Sequence, residues 1–186
     1  MSVFQIENTG LPGLKSINHK YFQDDRGSFR KIFSSGNFPE SGLVGEIKQI
    51  NCSFTKKKGT VRGMHFQRPP FSEVKLVSCI AGSVLDVAVD LREASPTFLQ
   101  WHGQVLSRDN NKALLIPEGF AHGFQALEDN TELLYLHNQE YFPKYEDGVS
   151  PLDLMLNIKW PIEPSFLSDR DKSFDSIDQN HKGVFL

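Results

Sequence analysis

Short runs of apolar or alternating residues recur along this chain, each closed by a cluster of turn-forming residues. That pattern predicts many short strands packed as an all-β sandwich or barrel. Candidate strands fall at Phe29–Phe33, Gly45–Phe54, Thr60–Phe66, Lys75–Ala81, Ser83–Leu91, His102–Leu106, Lys112–Ile116, Gly123–Ala126 and Thr131–His137. Ala81-Gly82 stands between two of them as a tight hairpin turn would. Asp109-Asn110-Asn111 and Glu128-Asp129-Asn130 carry side chains that bond to their own backbone and so favour turns. Pro117-Glu118-Gly119 punctuates another pair.

The run Val84–Leu91 is apolar except at Asp86 and Asp90. A period of two puts Asp86, Ala88 and Asp90 on one face and Leu85, Val87, Val89 and Leu91 on the other. Carboxylates on such a strand need partners if they are buried. No repeat, low-complexity tract or linker divides the 186 residues, which are ample for one core. The expectation is a single domain over 1–186, with an N-terminal arm to about residue 25 and an extended C-terminal arm from about Trp160.

Composition narrows the class of function. Hydrophobic residues at 39% and charged residues at 23% describe an ordinary globular chain. A net charge of -3 lends no support to nonspecific nucleic-acid binding, so any anion site must be local. Cys52 and Cys79 are too few and too far apart for a disulfide framework or a structural zinc site. The N-terminus lacks a basic segment followed by an apolar one, and no apolar stretch approaches the ~18 residues of a membrane span. The expectation is a cytoplasmic protein with no membrane partner.

Several side chains suggest chemistry. His65, in Arg62-Gly63-Met64-His65-Phe66-Gln67, is either a hydrogen-bonded barrel histidine or a general base, since imidazole accepts a proton near neutral pH. His122 lies in Pro117-x-Gly119-x-x-His122, a spacing that resembles the second metal-binding motif of cupins. In the first such motif Gln67 occupies the second ligand position, so a site of two histidines and a carboxylate would lack ligands, and no metal is expected. Lys75 opens a strand; it is a surface lysine or, in a pocket, a stabiliser of an oxyanion. Tyr135 is a core tyrosine or a phenol that donates a proton. Ser168-Asp169-Arg170-Asp171 reads as a capping box, while Asp171 could instead orient an imidazole, as in a catalytic dyad. Arg26, beside Gly27, is an exposed turn residue or, with Arg62, a clamp on a diphosphate.

Taken together, these residues resemble the dTDP-4-dehydrorhamnose 3,5-epimerase family. The resemblance rests on Asp25-Arg-Gly27, Gln49-Ile-Asn51, Val61-Arg-Gly-Met-His-Phe-Gln67, Lys75-Leu-Val77, Asp86-Val-Ala-Val-Asp-Leu-Arg92, Ser95-Pro-Thr-Phe98, Ile116-Pro-Glu-Gly-Phe-Ala-His-Gly-Phe124, Leu134-Tyr135, Trp160-Pro161 and Leu167-Ser-Asp-Arg-Asp171, which occur in the family's order. It implies a cupin-type jelly-roll barrel with short terminal helical segments, a homodimer, no cofactor and no metal. It implies a nucleotide-diphospho-4-keto-6-deoxysugar as substrate, with His65 as base, Tyr135 as acid, Asp171 paired with His65, and Lys75 steadying an enolate. Arg26, Phe29, Gln49, Asn51, Arg62, His122 and Tyr141 would contact the substrate. The chain departs from the family's pattern at Ser28-Phe29-Arg30-Lys31 and at Pro151-Leu152-Asp153, near the expected nucleotide or dimer regions. Competing readings are an epimerase acting at carbon 3 or carbon 5 alone, a 3,4-ketoisomerase, a noncatalytic sugar-nucleotide binder and a metal-dependent oxygenase.

Overall fold

The computed structural model describes residues 4–34, 36, 47–178 and 181–186. Among them run β1 (Phe4–Asn8), β2 (Lys15–His19), β3 (Tyr21–Asp24), β4 (Gly27–Arg30), β5 (Gln49–Thr55), β6 (Val61–Gln67), β7 (Lys75–Ala81), β8 (Ser83–Asp90), β9 (Trp101–Ser107), β10 (Lys112–Ile116), β11 (Phe120–Ala126), β12 (Thr131–His137), β13 (Glu146–Gly148) and the short helix α1 (Asp169–Ser173). A six-stranded sheet has the order β1-β2-β10-β7-β12-β5, a five-stranded sheet the order β13-β6-β11-β8-β9, and β3 pairs with β4 as a separate hairpin. No helix among the described residues is long and apolar enough to cross a membrane.

Consecutive strands mostly lie in different sheets. The connections β5–β6, β7–β8, β9–β10, β10–β11 and β11–β12 therefore turn corners between the two sheets, which gives the expected jelly roll. Ala81-Gly82 is accordingly not a hairpin: β7 and β8 do not pair, and Gly82, at φ 69, carries the chain from one sheet to the other. A left-handed residue serves a hairpin and a corner equally well, so only long-range pairing separates the two. Asn111 (φ 54) and Asn130 (φ 56) turn the equivalent corners.

Burial explains the hydrophobic pattern. Val77, Cys79, Val84, Ala88, Leu106, Leu114, Phe120, Phe124 and Leu133 fill the space between the sheets. The opposite face of β8 is buried as well, because Val87, Val89 and Leu91 pack on Val149, Leu156, Ile177 and Val184 of the C-terminal segment. A strand covered on both faces reads as continuously apolar. The carboxylate of Asp90 is met by the guanidinium and backbone N–H of Arg92 and by the hydroxyls of Ser95 and Thr97.

Some elements differ from expectation. Residues 4–8 and 15–19, expected as part of an arm, are strands of the larger sheet, with Leu14 and Ile17 fully buried. The strand expected at Phe29–Phe33 ends at Arg30; Ile32 and Phe33 pack instead against the outer face of the larger sheet. The expected strand over Gly45–Phe54 begins at Gln49, and positions 45 and 46 lie outside the described residues. Strand β11 starts at Phe120 rather than Gly123, and every one of its residues is buried, so no alternation marks its start.

Two glycines let β6 and β11 approach where the register shifts between His122 and Phe124. A Cβ on Gly63 (φ 116) would lie 2.6 Å from both Gly123 Cα and His122 O. A Cβ on Gly123 would lie 2.5 Å from Met64 Sδ and 2.7 Å from Arg62 O. Overpacking of this kind costs about 1–3 kcal/mol. Gly123→Ala is expected to lower the thermal midpoint by several degrees in a calorimetric scan, whereas Gly10→Ala, which meets nothing within 4 Å, leaves it nearly unchanged.

Candidate active site

The strand ends that meet at one end of the barrel leave a cavity of about 390 Å³. Gln49, Asn51 and Ser53 of β5, Lys75 of β7, and Tyr135 and His137 of β12 line it from the larger sheet. Arg62 and His65 of β6 and His122 of β11 line it from the smaller sheet. Period-two geometry explains the grouping: Tyr135 and His137 share a face of β12, and their antiparallel partners on β5 are Asn51 and Gln49.

His65 carries the site's first dyad. Its Nε2 lies 2.7 Å from Asp171 Oδ1, while Asp171 Oδ2 accepts from the Gly63 N–H at 3.3 Å. Burial pushes the Asp171 carboxyl up, but hydrogen bonding and charge from His65, with the Gly63 N–H and the Ser168 hydroxyl, hold it below the ordinary carboxylate range. The two readings of Ser168-x-x-Asp171 therefore coexist. Ser168 caps α1 by accepting from the Asp171 N–H at 3.0 Å, and the capped turn aims the Asp171 side chain at the imidazole.

A second dyad lies beside it. His122 sits opposite both His65 on β6 and Ala88 on β8, and its Nε2 lies 2.8 Å from Asp86 Oδ1. Both side chains are buried, and Asp86 Oδ2 has no hydrogen-bond partner among the described residues. Gln67, at the remaining cupin ligand position, uses its amide on backbone: Nε2 donates to Phe71 O and Glu140 O, and Oε1 accepts from the Phe142 N–H. No group of three or more His, Cys, Asp or Glu among the described residues is arranged to hold a metal ion.

Tyr135 faces the histidines from the other sheet. Its ring meets His122 edge-on at 6.0 Å and lies near-parallel to His137 at 6.1 Å. Its hydroxyl is 3.0 Å from Ser53 Oγ. Burial pushes the phenol well above its ordinary value, so it stays protonated and able to donate. Lys75 is nearly buried, with Nζ 3.0 Å from Glu73 Oε1 and 3.5 Å from His65 O. The other Glu73 oxygen lies 2.7 Å from His137 Nδ1.

Of the expected substrate contacts, Gln49, Asn51, Arg62, His122 and Tyr141 line this cavity. Tyr141 donates from its hydroxyl to Glu146, which also pairs with Arg170 at 2.9 Å. Arg26 and Phe29 lie elsewhere, on the β3–β4 hairpin; the Arg26 side chain is 90% exposed and paired with Asp24, and Phe29 is 66% exposed. Sequence reading overlooked Ser53, Glu73, His137 and Glu146. The signal for three of them was present, since each stands two residues along from Asn51, Lys75 or Tyr135 and so faces the same way.

Glu73 anchors the charge balance here. Burial pushes its carboxyl up, but the Lys75 charge and the His137 hydrogen bond outweigh this and bring it to about 2, against an ordinary value of 4.5. A depressed carboxyl stabilises the fold fully above pH 4.5 and loses that contribution as the pH falls towards 2. Glu73→Gln strands a buried ammonium, and removing one partner of such a pair costs about 3–5 kcal/mol. In chemical denaturation at neutral pH the variant is expected to be less stable by roughly that amount. The gap to the parent should shrink as pH falls from 4.5 to 2.

The chain is similar to known proteins over most of its length. The family model described as dTDP-4-dehydrorhamnose 3,5-epimerase matches residues 8–179. A dTDP-4-dehydrorhamnose 3,5-epimerase from Shigella flexneri is 43% identical over 167 residues, 89% of this chain and 92% of that protein. The structure of a dTDP-6-deoxy-D-glucose-3,5-epimerase from Legionella pneumophila, in complex with dTDP-4-keto-L-rhamnose, superposes with a TM-score of 0.88 at 38% identity, covering 98% of this chain and 99% of that one. A 3'-monoepimerase from Streptomyces bikiniensis in complex with dTDP-quinovose superposes with a TM-score of 0.86 at 33% identity, over 91% and 86% of the two chains. With its jelly roll, its paired histidines and its tyrosine on the facing wall, the chain belongs to the dTDP-4-dehydrorhamnose 3,5-epimerase family.

Proposed function

We propose that this isomerase epimerises carbons 3 and 5 of a dTDP-4-keto-6-deoxyhexose by proton transfer through an enolate, with His65 as base and Tyr135 as acid. The observation that carries the mechanism is the placement of the His65–Asp171 pair and of Tyr135 on opposite sheets across one cavity. A carbonyl at carbon 4 acidifies the protons on both neighbouring carbons. His65 removes one, and Asp171 stabilises the imidazolium that results. The Lys75 ammonium stabilises negative charge as it develops on the oxygen. Tyr135 then delivers a proton to the other face of the flat intermediate, which inverts the centre. A lone base would return the proton to the face it came from. The reaction has no net oxidation, so it calls for no redox partner.

General acid–base transfer contributes typically ~10²–10⁴-fold, so positioning and enolate stabilisation must supply much of the rest. The planar guanidinium of Arg62 suits a diphosphate, and Tyr141 offers a ring to the nucleotide base. Arg26 and Phe29 lie away from the cavity of their own chain, so a role for them in substrate binding belongs to a homodimer, each hairpin serving a second copy. Exposed Phe22 and Phe29 on that hairpin, with Ile50 and Phe54 on the edge strand β5, support such an association. A nucleotide-activated sugar also accords with a cytoplasmic enzyme. A second reading, epimerisation at one carbon only, draws support from the likeness to the 3'-monoepimerase.

The test is incubation with dTDP-4-keto-6-deoxyglucose in deuterated water, followed by proton NMR. Deuterium at carbons 3 and 5 with an L-configured product is the expected result; deuterium at one carbon assigns the single-site reading. His65→Ala is expected to lower turnover by about 10²–10⁴-fold with the fold intact, and near-native turnover would sink the mechanism. Tyr135→Phe should keep solvent exchange at the carbon facing His65 yet form little inverted product. Light scattering should return twice the monomer mass, and a monomer would remove the proposed roles of Arg26 and Phe29.

A further inference from the structure

The Lys75 ammonium has three N–H donors. One is committed to Glu73 Oε1 at 3.0 Å, and a second points at the carbonyl of His65 at 3.5 Å. The remaining donor is left for the cavity that Lys75 lines. Lysine otherwise swings on a four-carbon stem, so an unheld ammonium would not meet a reacting oxygen in a fixed place. Glu73 stands two residues before it on the same face, with both oxygens engaged, because its second oxygen is taken by His137 Nδ1 at 2.7 Å. All three side chains are nearly buried. The His137 ring in turn lies along the ring of Tyr135. The chain Lys75–Glu73–His137–Tyr135 thus ties the oxyanion donor to the acid, while the contact with the His65 carbonyl ties it to the strand of the base.

We infer that Glu73 and His137 are positioning residues for epimerisation: Glu73 fixes the Lys75 ammonium towards the substrate oxygen, and His137 fixes Glu73. Neither touches the reacting carbon. The arrangement has a cost, because the carboxylate offsets part of the field that Lys75 exerts. Holding the second carboxylate oxygen with His137 limits that loss, since Lys75 then faces one oxygen rather than two. The inference rests on the proposed function, because it assigns these residues to that reaction.

A double-mutant cycle on the full-length protein tests it, with dTDP-4-keto-6-deoxyglucose as the probe and kcat and KM measured separately. Turnover by the parent protein comes first: its absence, with no deuterium exchange, overturns the proposed reaction and the positioning roles with it. Given turnover, Lys75→Met is expected to lower kcat by about 10²–10³-fold, the loss of an oxyanion donor. Glu73→Gln is expected to lower kcat by about 10- to 100-fold, the effect of a misplaced catalytic group, with KM little changed. In the Lys75→Met background Glu73→Gln should cost nothing further, because a residue that acts through another loses its effect when that other is removed. Additive losses, a native kcat in Glu73→Gln, or a native kcat in Lys75→Met would each overturn the inference. Should Glu73→Gln fail to fold, His137→Phe serves instead, since it keeps a ring beside Tyr135 and frees only one carboxylate oxygen. It is expected to lower kcat several-fold in the parent and not at all with Lys75→Met; a native kcat in the parent or an additive loss would overturn the inference.

Discussion

Inside this barrel a carboxylate can remain ionised only where a donor meets it, because an unpaired buried charge costs several kcal/mol. Asp171 is paired with His65, Asp86 with His122, Glu73 with Lys75 and His137, and Asp90 with Arg92. Three of the four pairs lie at the cavity. The partners required by burial are thus polar groups that line the cavity. Asp90 is the contrast: five donors from one short loop enclose it, so its charge is spent on holding the β8–β9 connection.

The barrel places these pairs by strand parity. Inward positions of β7 and β12 are polar near the cavity and apolar further along, as Tyr135 and His137 give way to Leu133, and Lys75 to Val77 and Cys79. The close approach of β6 and β11 at Gly63 and Gly123 puts His65 and His122 opposite one another in register. Any added bulk at that crossing displaces both dyads, so packing and chemistry share the same two glycines.

The strands with strong apolar content were legible in the sequence because burial on both faces leaves apolar runs that turn residues interrupt. Strands β1, β2 and β3 were not: Lys15-Ser16-Ile17-Asn18-His19 contains one apolar residue, and it becomes a strand because β10 offers it a free edge. The Gly82 turn was found but misassigned, since φ demands do not reveal which strand comes next to which. That His65, Lys75 and Tyr135 meet at one cavity, with Asp171 behind His65, was legible through motif and chemistry, while their roles in the reaction are the proposal. Glu73 and His137 were passed over although they occupy the same faces two residues away. A glutamate before a strand and a histidine at the end of one look like solvated ends until the fold brings them within 2.7 Å of each other.

Inversion at carbon sets a demand that the jelly roll meets by its topology. The acid and the base must approach a planar intermediate from opposite sides, so they cannot stand side by side on one strand. Two sheets packed face to face supply that separation for the proposed pair, with His65 on one and Tyr135 on the other. The corner connections alternate the chain between the sheets, so residues from both walls reach the same end of the barrel within a short stretch of sequence. Asp171 meets His65 from outside the sheets, and its placement depends on one helix turn whose cap is Ser168. That turn is anchored because the C-terminal segment buries Leu156, Ile177 and Val184 against the outer face of β8. The apolar outer face of β8 is therefore part of what holds the Asp171 carboxylate against His65.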